Sequence, residues 1–276
     1  MCTRVVNRII PKSKYNYKRY SNKDSKCTTA GILVIGDEIL KGQVMDTNSK
    51  FLAQELHKLG VKLKKISVVP DDIEDISAEV RLVSNKFDYI LTTGGIGPTH
   101  DDLTYEAVAH AFGESIYLNS DLKEICMRFY KSIKSLNAGM KLAYIPKSSR
   151  LHYATVDGGR LLYPNVSVHN VYMFPGIPEL LRKSFLSVGP VLFNSTRRFF
   201  SKVVYCTMEE CEIVKELEIL VQEFPEVEFG CYPKLYDSVY KVKVTIESCN
   251  EEATLKAYEK LLDLIPKNCI VNFDDL

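Results

Sequence analysis

Residues 89–102 of the chain read Tyr-Ile-Leu-Thr-Thr-Gly-Gly-Ile-Gly-Pro-Thr-His-Asp-Asp. The first five have the composition of a short buried strand, and the glycines after them permit positive φ and let main-chain N–H groups approach an anion closely. Thr104 can cap a helix that runs to residue 111, and the positive end of that helix would add to the attraction. The stretch therefore predicts a strand, a glycine-rich loop and a helix, in which the loop is either a phosphate site or a tight turn.

Two more strand–helix units come before this stretch. Residues 30–35 form a continuous apolar run, and residues 65–69 form a second, shorter one. Residues 47–59 and residues 73–83 carry apolar side chains at helical spacing. Alternation of this kind predicts an α/β fold whose parallel sheet is covered by helices on both faces.

The pattern changes at about residue 196. From there the order of predicted elements is βαββαβ, with strands at 202–206, 227–231, 239–246 and 269–273 and helices at 209–224 and 251–264. That order is typical of a small ferredoxin-like α+β domain. The predicted organisation is a basic leader at 1–28, an α/β domain at 29–195 and the βαββαβ domain at 196–276.

The composition is that of an ordinary globular protein. The 276-residue chain is 46% hydrophobic and 26% charged, and its formal net charge is +1. No segment has the roughly 20 apolar residues that a membrane helix needs, and so small a net charge gives no field of the kind that attracts nucleic acid. We therefore expect neither a membrane nor a nucleic acid as a partner.

Basic residues are concentrated at the start of the chain. Residues 1–30 hold eight Lys or Arg and one acid, a net charge of +7, and the rest of the chain has a net charge of −6. This leader has the composition of a mitochondrial presequence or of a disordered basic tail. The eight cysteines include no C-x-x-C pair, which indicates reduced thiols rather than a zinc site. These features predict a cytoplasmic or mitochondrial matrix protein.

Acidic residues follow each of the three predicted strands. They are Asp37 and Glu38 after the first, Asp71 after the second, and Asp101 and Asp102 after the third. Because parallel strands present their carboxyl ends at one edge of a sheet, we expect these side chains to lie together. Beside a phosphate they would repel it unless a divalent cation bridged the two. Each also has a plainer interpretation, as a helix cap, a turn residue or a solvated charge. His100, in the same loop, is an acid, a base or a ligand, or else an exposed side chain without a role.

Four motifs together resemble a known family. They are residues 36–42 (Gly-Asp-Glu-Ile-Leu-Lys-Gly), 46–48 (Asp-Thr-Asn), 92–107 and 174–178 (Phe-Pro-Gly-Ile-Pro). They are similar to the molybdopterin-binding-like domains of molybdenum cofactor biosynthesis. Within that superfamily, residues 147–153 and 168–181 resemble the amino-terminal domain of eukaryotic FAD synthases, and the competence/damage-inducible proteins share the module.

The resemblance implies a three-layer α/β sheet and a set of site residues. Phosphate would be bound by Gly94, Gly95, Ile96, Gly97 and Thr99. The catalytic pair would be Asp71 and Asp102, and these two with Asp101 would hold Mg²⁺, Mn²⁺ or Co²⁺. The other residues of the ligand site would be Asp37, Glu38, Asp46, Asn48, His100, Pro175, Gly176 and Pro178. Relatives of this fold assemble as dimers or trimers, so a homo-oligomer is expected.

Two departures from the family pattern bear on the expected activity. Ile96 stands where molybdopterin adenylyltransferases carry threonine, and Thr-His-Asp precedes Asp102 in place of a basic pair, which argues against that reaction. The flavin and competence branch resembles a metal-dependent dinucleotide pyrophosphatase. The expected reaction is therefore hydrolysis of FAD, or of an ADP-ribose-like dinucleotide, with FAD giving FMN and AMP.

Other activities remain as alternatives. FMN adenylylation is not expected, because the only Gly-Gly after the loop, at residues 158–159, lies in a turn-like Asp-Gly-Gly-Arg. The alternatives to hydrolysis are a non-catalytic flavin- or nucleotide-binding module, a partner of FAD synthase, and a molybdopterin adenylyltransferase.

Overall fold

The computed structural model describes residues 27–130, 138–235 and 239–271. The predicted basic leader lies outside the described residues except for its last two positions. The first domain contains, in chain order, β1 (Thr29–Ile35), α1 (Asp37–Leu40), α2 (Asn48–Lys58), β2 (Lys62–Val69), α3 (Ile73–Ser84), β3 (Tyr89–Thr93), α4 (Thr104–Ala111), β4 (Ile116–Leu118), α5 (Ser120–Phe129), β5 (Tyr144–Pro146), β6 (Arg150–Ala154), β7 (Arg160–Val168), β8 (Val171–Phe174) and α6 (Pro178–Leu192). None of the helices in these ranges is long and apolar enough to cross a membrane.

The main sheet has six strands in the order β2-β1-β3-β8-β7-β6. The first four run parallel, and three of them, β2, β1 and β3, are the strands that the sequence predicts. Strand β7 pairs antiparallel with β8, and β6 pairs antiparallel with β7, so the sheet is mixed rather than wholly parallel. The reason is the connection between β7 and β8, which is only two residues, His169 and Asn170. A parallel crossover needs a dozen residues or more, whereas two residues suffice for an antiparallel hairpin. His169 adopts the required positive φ of 51°, and the Asn170 amide donates to the carbonyls of Ser84 and Phe87.

Alternate side chains of β1 supply two separate cores. Leu33 and Ile35 pack with α3, α4 and α5 on one face of the sheet, and Ile32 and Val34 pack with α2 and α6 on the other. This period of two is what a strand buried on both faces requires. The domain therefore has three layers, with the sheet in the middle, and the expected fold class is confirmed.

The second domain contains β9 (Phe200–Cys206), α7 (Val214–Glu223), β10 (Glu228–Pro233), β11 (Val242–Ser248), α8 (Glu251–Leu264) and β12 (Ile270–Val271). Its four strands are antiparallel in the order β10-β11-β9-β12, and α7 and α8 pack on one face. This is the ferredoxin-like arrangement that the sequence predicts. Helix α7 begins later than expected because Glu209 and Glu212 form a capping box around a short 3₁₀ turn.

The second domain contacts the first at the amino ends of the parallel strands. The His57 imidazole lies 2.8 Å from a Glu247 carboxylate oxygen and stacks on Phe199, with ring centroids 4.7 Å apart. Lys62, the first residue of β2, pairs with Glu228. These contacts lie at the opposite edge of the sheet from the carboxyl ends of the strands.

Candidate functional site

The glycine-rich loop begins with a residue that joins two strand ends. The Gly94 N–H donates to the Phe174 carbonyl at 3.3 Å, and its φ is +106°. A Cβ atom placed on Gly94 would lie 1.9 Å from the carbonyl oxygen of Ile35, the last residue of β1. The sequence predicts the Gly94 amide as a phosphate donor, but in the structure this amide is bonded within the sheet. Gly94 therefore sets how closely β3 approaches its neighbours.

The next three amides are differently placed. Thr104 holds the carbonyls of the loop, because its hydroxyl donates to Gly94 O at 2.8 Å and its N–H donates to Gly95 O at 3.1 Å. The N–H groups of Gly95, Ile96 and Gly97 donate to no acceptor among the described residues. Consecutive N–H groups of this kind can bind an anion. Thr104 is not the helix cap that the sequence suggested, because its hydroxyl serves the loop instead.

Asp37 and Asp71 are paired at the ends of β1 and β2. The Asp37 N–H donates to Asp71 Oδ2 at 2.9 Å, and the Asp71 N–H lies 3.4 Å from Asp37 Oδ1. Lys41 donates to the other oxygen of Asp37 at 2.7 Å. The helix α3 is capped by Asp72, which accepts from the N–H groups of residues 74 and 75, so Asp71 has no capping role.

The pKa shifts show that the acidic groups act on one another. Burial raises the pKa of the Asp71 carboxyl, and the negative charges of Glu38, Asp37 and Asp101 raise it further, against the opposing hydrogen bond from Asp37. The hydrogen bond from Lys41 lowers the pKa of Asp37. The strand ends therefore meet at one edge, as the sequence predicts, and the surroundings of Asp71 disfavour its charged form.

The turn from Thr99 to Asp102 closes on itself. Asp102 Oδ2 accepts a hydrogen bond from the Thr99 N–H at 2.8 Å and another from the Thr99 hydroxyl. The predicted phosphate donor Thr99 and the predicted metal ligand Asp102 are thus bonded to each other. The side chains of Asp101 and His100, in the same turn, are 59% and 98% exposed.

A further group of predicted residues lies beneath the site. The buried Asn48 amide donates to Thr93 Oγ1 at 3.0 Å and to Gly176 O at 2.7 Å, and Thr93 in turn donates to Pro175 O at 3.3 Å. These bonds tie the end of β3 to the segment after β8. Asp46 accepts from the Ser49 N–H and starts α2, while Pro178 starts α6 and the Glu38 side chain is exposed.

The carboxylates fit a particular kind of cation site. Within residues 27–130, 138–235 and 239–271 no three His, Cys, Asp or Glu side chains come close enough to hold a metal ion by themselves. Mg²⁺ commonly takes only one or two carboxylates and completes its coordination with water and substrate phosphate. Asp71 and Asp101 are candidates for holding such an ion, since Asp102 is bonded to Thr99 and Asp37 to Lys41.

The structure adds one residue that the sequence did not indicate. Lys141 Nζ donates to the Thr99 carbonyl at 2.6 Å and lies 3.4 Å from the His100 carbonyl. With Gly95, Asp102 and Tyr144 it lines a small recess at the glycine loop. A lysine about 40 residues from its acceptor has no local sequence signal.

Comparisons with known proteins agree with this fold. Residues 31–194 match the family described as "Probable molybdopterin binding domain", and residues 198–274 match "FAD synthase, middle domain". A solved structure of the protein CinA from Thermoplasma acidophilum, 27% identical, covers 61% of this chain and 99% of its own, with a TM-score of 0.54.

Curated relatives extend the comparison beyond the first domain. A Caenorhabditis elegans protein named "Probable FAD synthase" is 38% identical over 267 residues, which cover 89% of this chain and 51% of that relative. An Archaeoglobus fulgidus protein is 34% identical over 203 residues, covering 74% of this chain and 85% of that protein. The chain thus spans about half the length of the nematode relative. It belongs to the molybdopterin-binding domain family, and behind that domain it carries a region similar to the middle domain of FAD synthase.

Proposed function

We propose that the chain hydrolyses the pyrophosphate of an FAD-like dinucleotide in a reaction that depends on a divalent cation. The observation that carries the proposal is the row of free N–H groups at Gly95, Ile96 and Gly97 beside a cluster of mutually repelling carboxylates. Anion donors and acids at one sheet edge are complementary to a phosphate that brings its own metal ion. The similarity to relatives named FAD synthase favours a flavin dinucleotide as the substrate.

Each group has a defined part in the proposed reaction. The three amides bind a phosphate oxygen and stabilise the charge that develops on it. Asp71 and Asp101 would hold Mg²⁺, Mn²⁺ or Co²⁺, and the ion would neutralise phosphate charge and lower the pKa of a coordinated water. Water attacks one phosphorus, the P–O–P bond breaks, and FAD plus water gives FMN plus AMP. An ADP-ribose-like dinucleotide would be cleaved in the same way.

The test is a product analysis with a matched pair of variants. Purified protein is incubated with FAD and each of the three metals, and the products are separated by chromatography. We expect Asp71→Asn to lower kcat about 100-fold or more, as loss of an electrostatic catalytic group does. The control Asp72→Asn removes the same charge one residue away, and it should leave kcat close to wild type because asparagine is an equally good helix cap. Equal activity of Asp71→Asn and wild type would contradict the mechanism.

A second function is favoured by one observation. The described residues do not gather three metal ligands, and Lys41 already neutralises Asp37, so the same amides could hold a dinucleotide without cleaving it. The same incubation separates the two functions, because a binding module returns FAD intact. Repeating it with ADP-ribose and NAD identifies the preferred dinucleotide, and transfer of AMP from ATP to molybdopterin would point to adenylyltransferase chemistry.

A further inference from the structure

The turn from Thr99 to Asp102 is held mainly by its own atoms. Asp102 bonds the Thr99 N–H and hydroxyl, and the Asp102 N–H lies 3.4 Å from the Thr99 carbonyl. Pro98, Thr99, His100 and Asp101 are all exposed. Hydrogen bonds within the turn keep its shape, but they do not fix its position relative to the sheet.

A single side chain connects this turn to another element. Among the hydrogen bonds of the described residues, the only ones that join residues 98–102 to a different part of the chain come from Lys141. Lys141 lies in the 3₁₀ turn Met140–Ala143, directly before β5. Ala143 and Ile145, which follow it, are fully buried in the core, so the backbone that carries the ammonium is anchored.

The two carbonyls that Lys141 contacts belong to Thr99 and His100, the residues directly before Asp101. One cation thus fixes the backbone that carries the Asp101 carboxylate by hydrogen bonds to the turn.

We propose that Lys141 is a positioning residue that holds the Thr99–Asp102 turn, and with it Asp101, at the distance from Asp71 that a bridging cation needs. It acts on the metal and the phosphate through the turn and does not contact them. The role rests on the proposed metal-dependent function. The hydrogen bonds from Lys141 to the turn, which we call the clamp, are a property of the fold and are measurable without any reaction.

The experiment compares Lys141→Met with Lys141→Arg and the control Lys123→Met. Methionine keeps the length of the side chain without its donors, whereas arginine can still donate to carbonyls. Lys123→Met removes the same charge from the exposed surface of α5. In wild type and all three variants, amide hydrogen exchange at Thr99 and Asp102 and the Mg²⁺ or Mn²⁺ concentration for half-maximal FAD hydrolysis are measured.

We expect Lys141→Met to speed exchange at the two amides about tenfold or more, as loss of a charge-assisted hydrogen bond would. It should also raise the half-activating metal concentration about tenfold or more, with a smaller change in KM for FAD. In Lys141→Arg the exchange rates and the half-activating metal concentration should both stay close to those of wild type, and in Lys123→Met both should match wild type.

The two hypotheses fail separately. If wild type cleaves no dinucleotide, the proposed function fails, and the exchange rates still test the clamp. Wild-type exchange rates in Lys141→Met, or an equal loss in Lys141→Arg and Lys141→Met, would overturn the clamp. An unchanged metal requirement in an active Lys141→Met enzyme would overturn its positioning role.

Discussion

Replacing Gly94 with alanine tests how closely the strand ends must meet to form the site. Gly94 has a φ of +106°, and a Cβ atom there would lie 1.9 Å from the Ile35 carbonyl oxygen. Real Cβ atoms essentially never come within 3.0 Å of such a neighbour, so the two strand ends would have to separate by at least the difference, 1.1 Å. The atom in the way belongs to the backbone of a central strand, which has little room to move.

The expected loss in the free energy of unfolding of Gly94→Ala has two parts, and a control variant separates them. A non-glycine residue at positive φ costs about 1–3 kcal/mol. Forcing extra volume into a packed site adds about 1–3 kcal/mol. Gly113, after α4, has a φ of +68° and nothing within 4 Å of its Cβ position, so Gly113→Ala incurs the first cost alone. The difference between the two variants, about 1–3 kcal/mol, measures the close approach at Gly94.

Thermal and urea unfolding of both variants give this difference directly. For a domain of this size each kcal/mol lowers Tm by about 2–4 °C, so Gly94→Ala should melt about 2–12 °C below Gly113→Ala. Dinucleotide binding should weaken in Gly94→Ala alone, because the amides of the loop follow directly after residue 94. Equal melting temperatures for the two variants would refute the argument that contact between β3 and β1 sets the geometry of the loop.

Two more variants test the interactions around the loop. Thr104→Val should lower the free energy of unfolding by about 1–3 kcal/mol, because it leaves the Gly94 carbonyl without its donor. Thr104→Ser keeps the hydroxyl and should retain most of the wild-type stability. Equal losses of stability for the two variants in urea titrations would contradict the hydrogen bond. The pKa of Asp71 is raised in the folded state, so its ionisation removes stability as the pH rises through that pKa. In metal-free buffer Asp71→Asn should therefore melt above wild type at neutral pH, and the gap should close as the pH falls to the unfolded value of about 3.9; a gap that widens on acidification would show that the sign is wrong.

The layered fold could be predicted because its strands are buried on both faces. The apolar run of β1 and the five residues of β3 could be recognised as buried strands from their own sequence, and the glycine-rich and acidic residues after them indicated the edge where the candidate site lies. The strands from β4 to β8 were not predicted. The antiparallel pairing of β7 with β8 depends on the two-residue turn that includes His169, where histidine adopts a conformation more usual for glycine or asparagine.

The roles of individual side chains were harder to predict than their location. Thr104 had the position of a helix cap, yet its hydroxyl bonds the loop, and Asp102 had the position of a metal ligand, yet it bonds Thr99. In both cases the side chain has two alternative hydrogen-bond partners within a few ångströms. The backbone conformation of the loop determines which of the two bonds forms. The role of Lys141 was also not predictable from the sequence. Its acceptors are backbone carbonyls of residues distant in the chain, and every residue carries such a carbonyl.

The acidic edge itself is the strongest argument that this site has a ligand. Helix capping and hydrogen bonding do not require a carboxylate at Asp71, since Asp72 caps the helix and the Asp37 N–H could be satisfied by a neutral acceptor. Yet Asp71 is partly buried beside other carboxylates, in an environment that disfavours its charge. Such an arrangement is unfavourable in the free protein and becomes favourable when a cation and an anion arrive together, which is the form in which a metal-bound pyrophosphate would arrive. A stabilising effect of metal plus FMN or AMP that exceeds the sum of their separate effects on Tm would be the thermodynamic signature of that coupling.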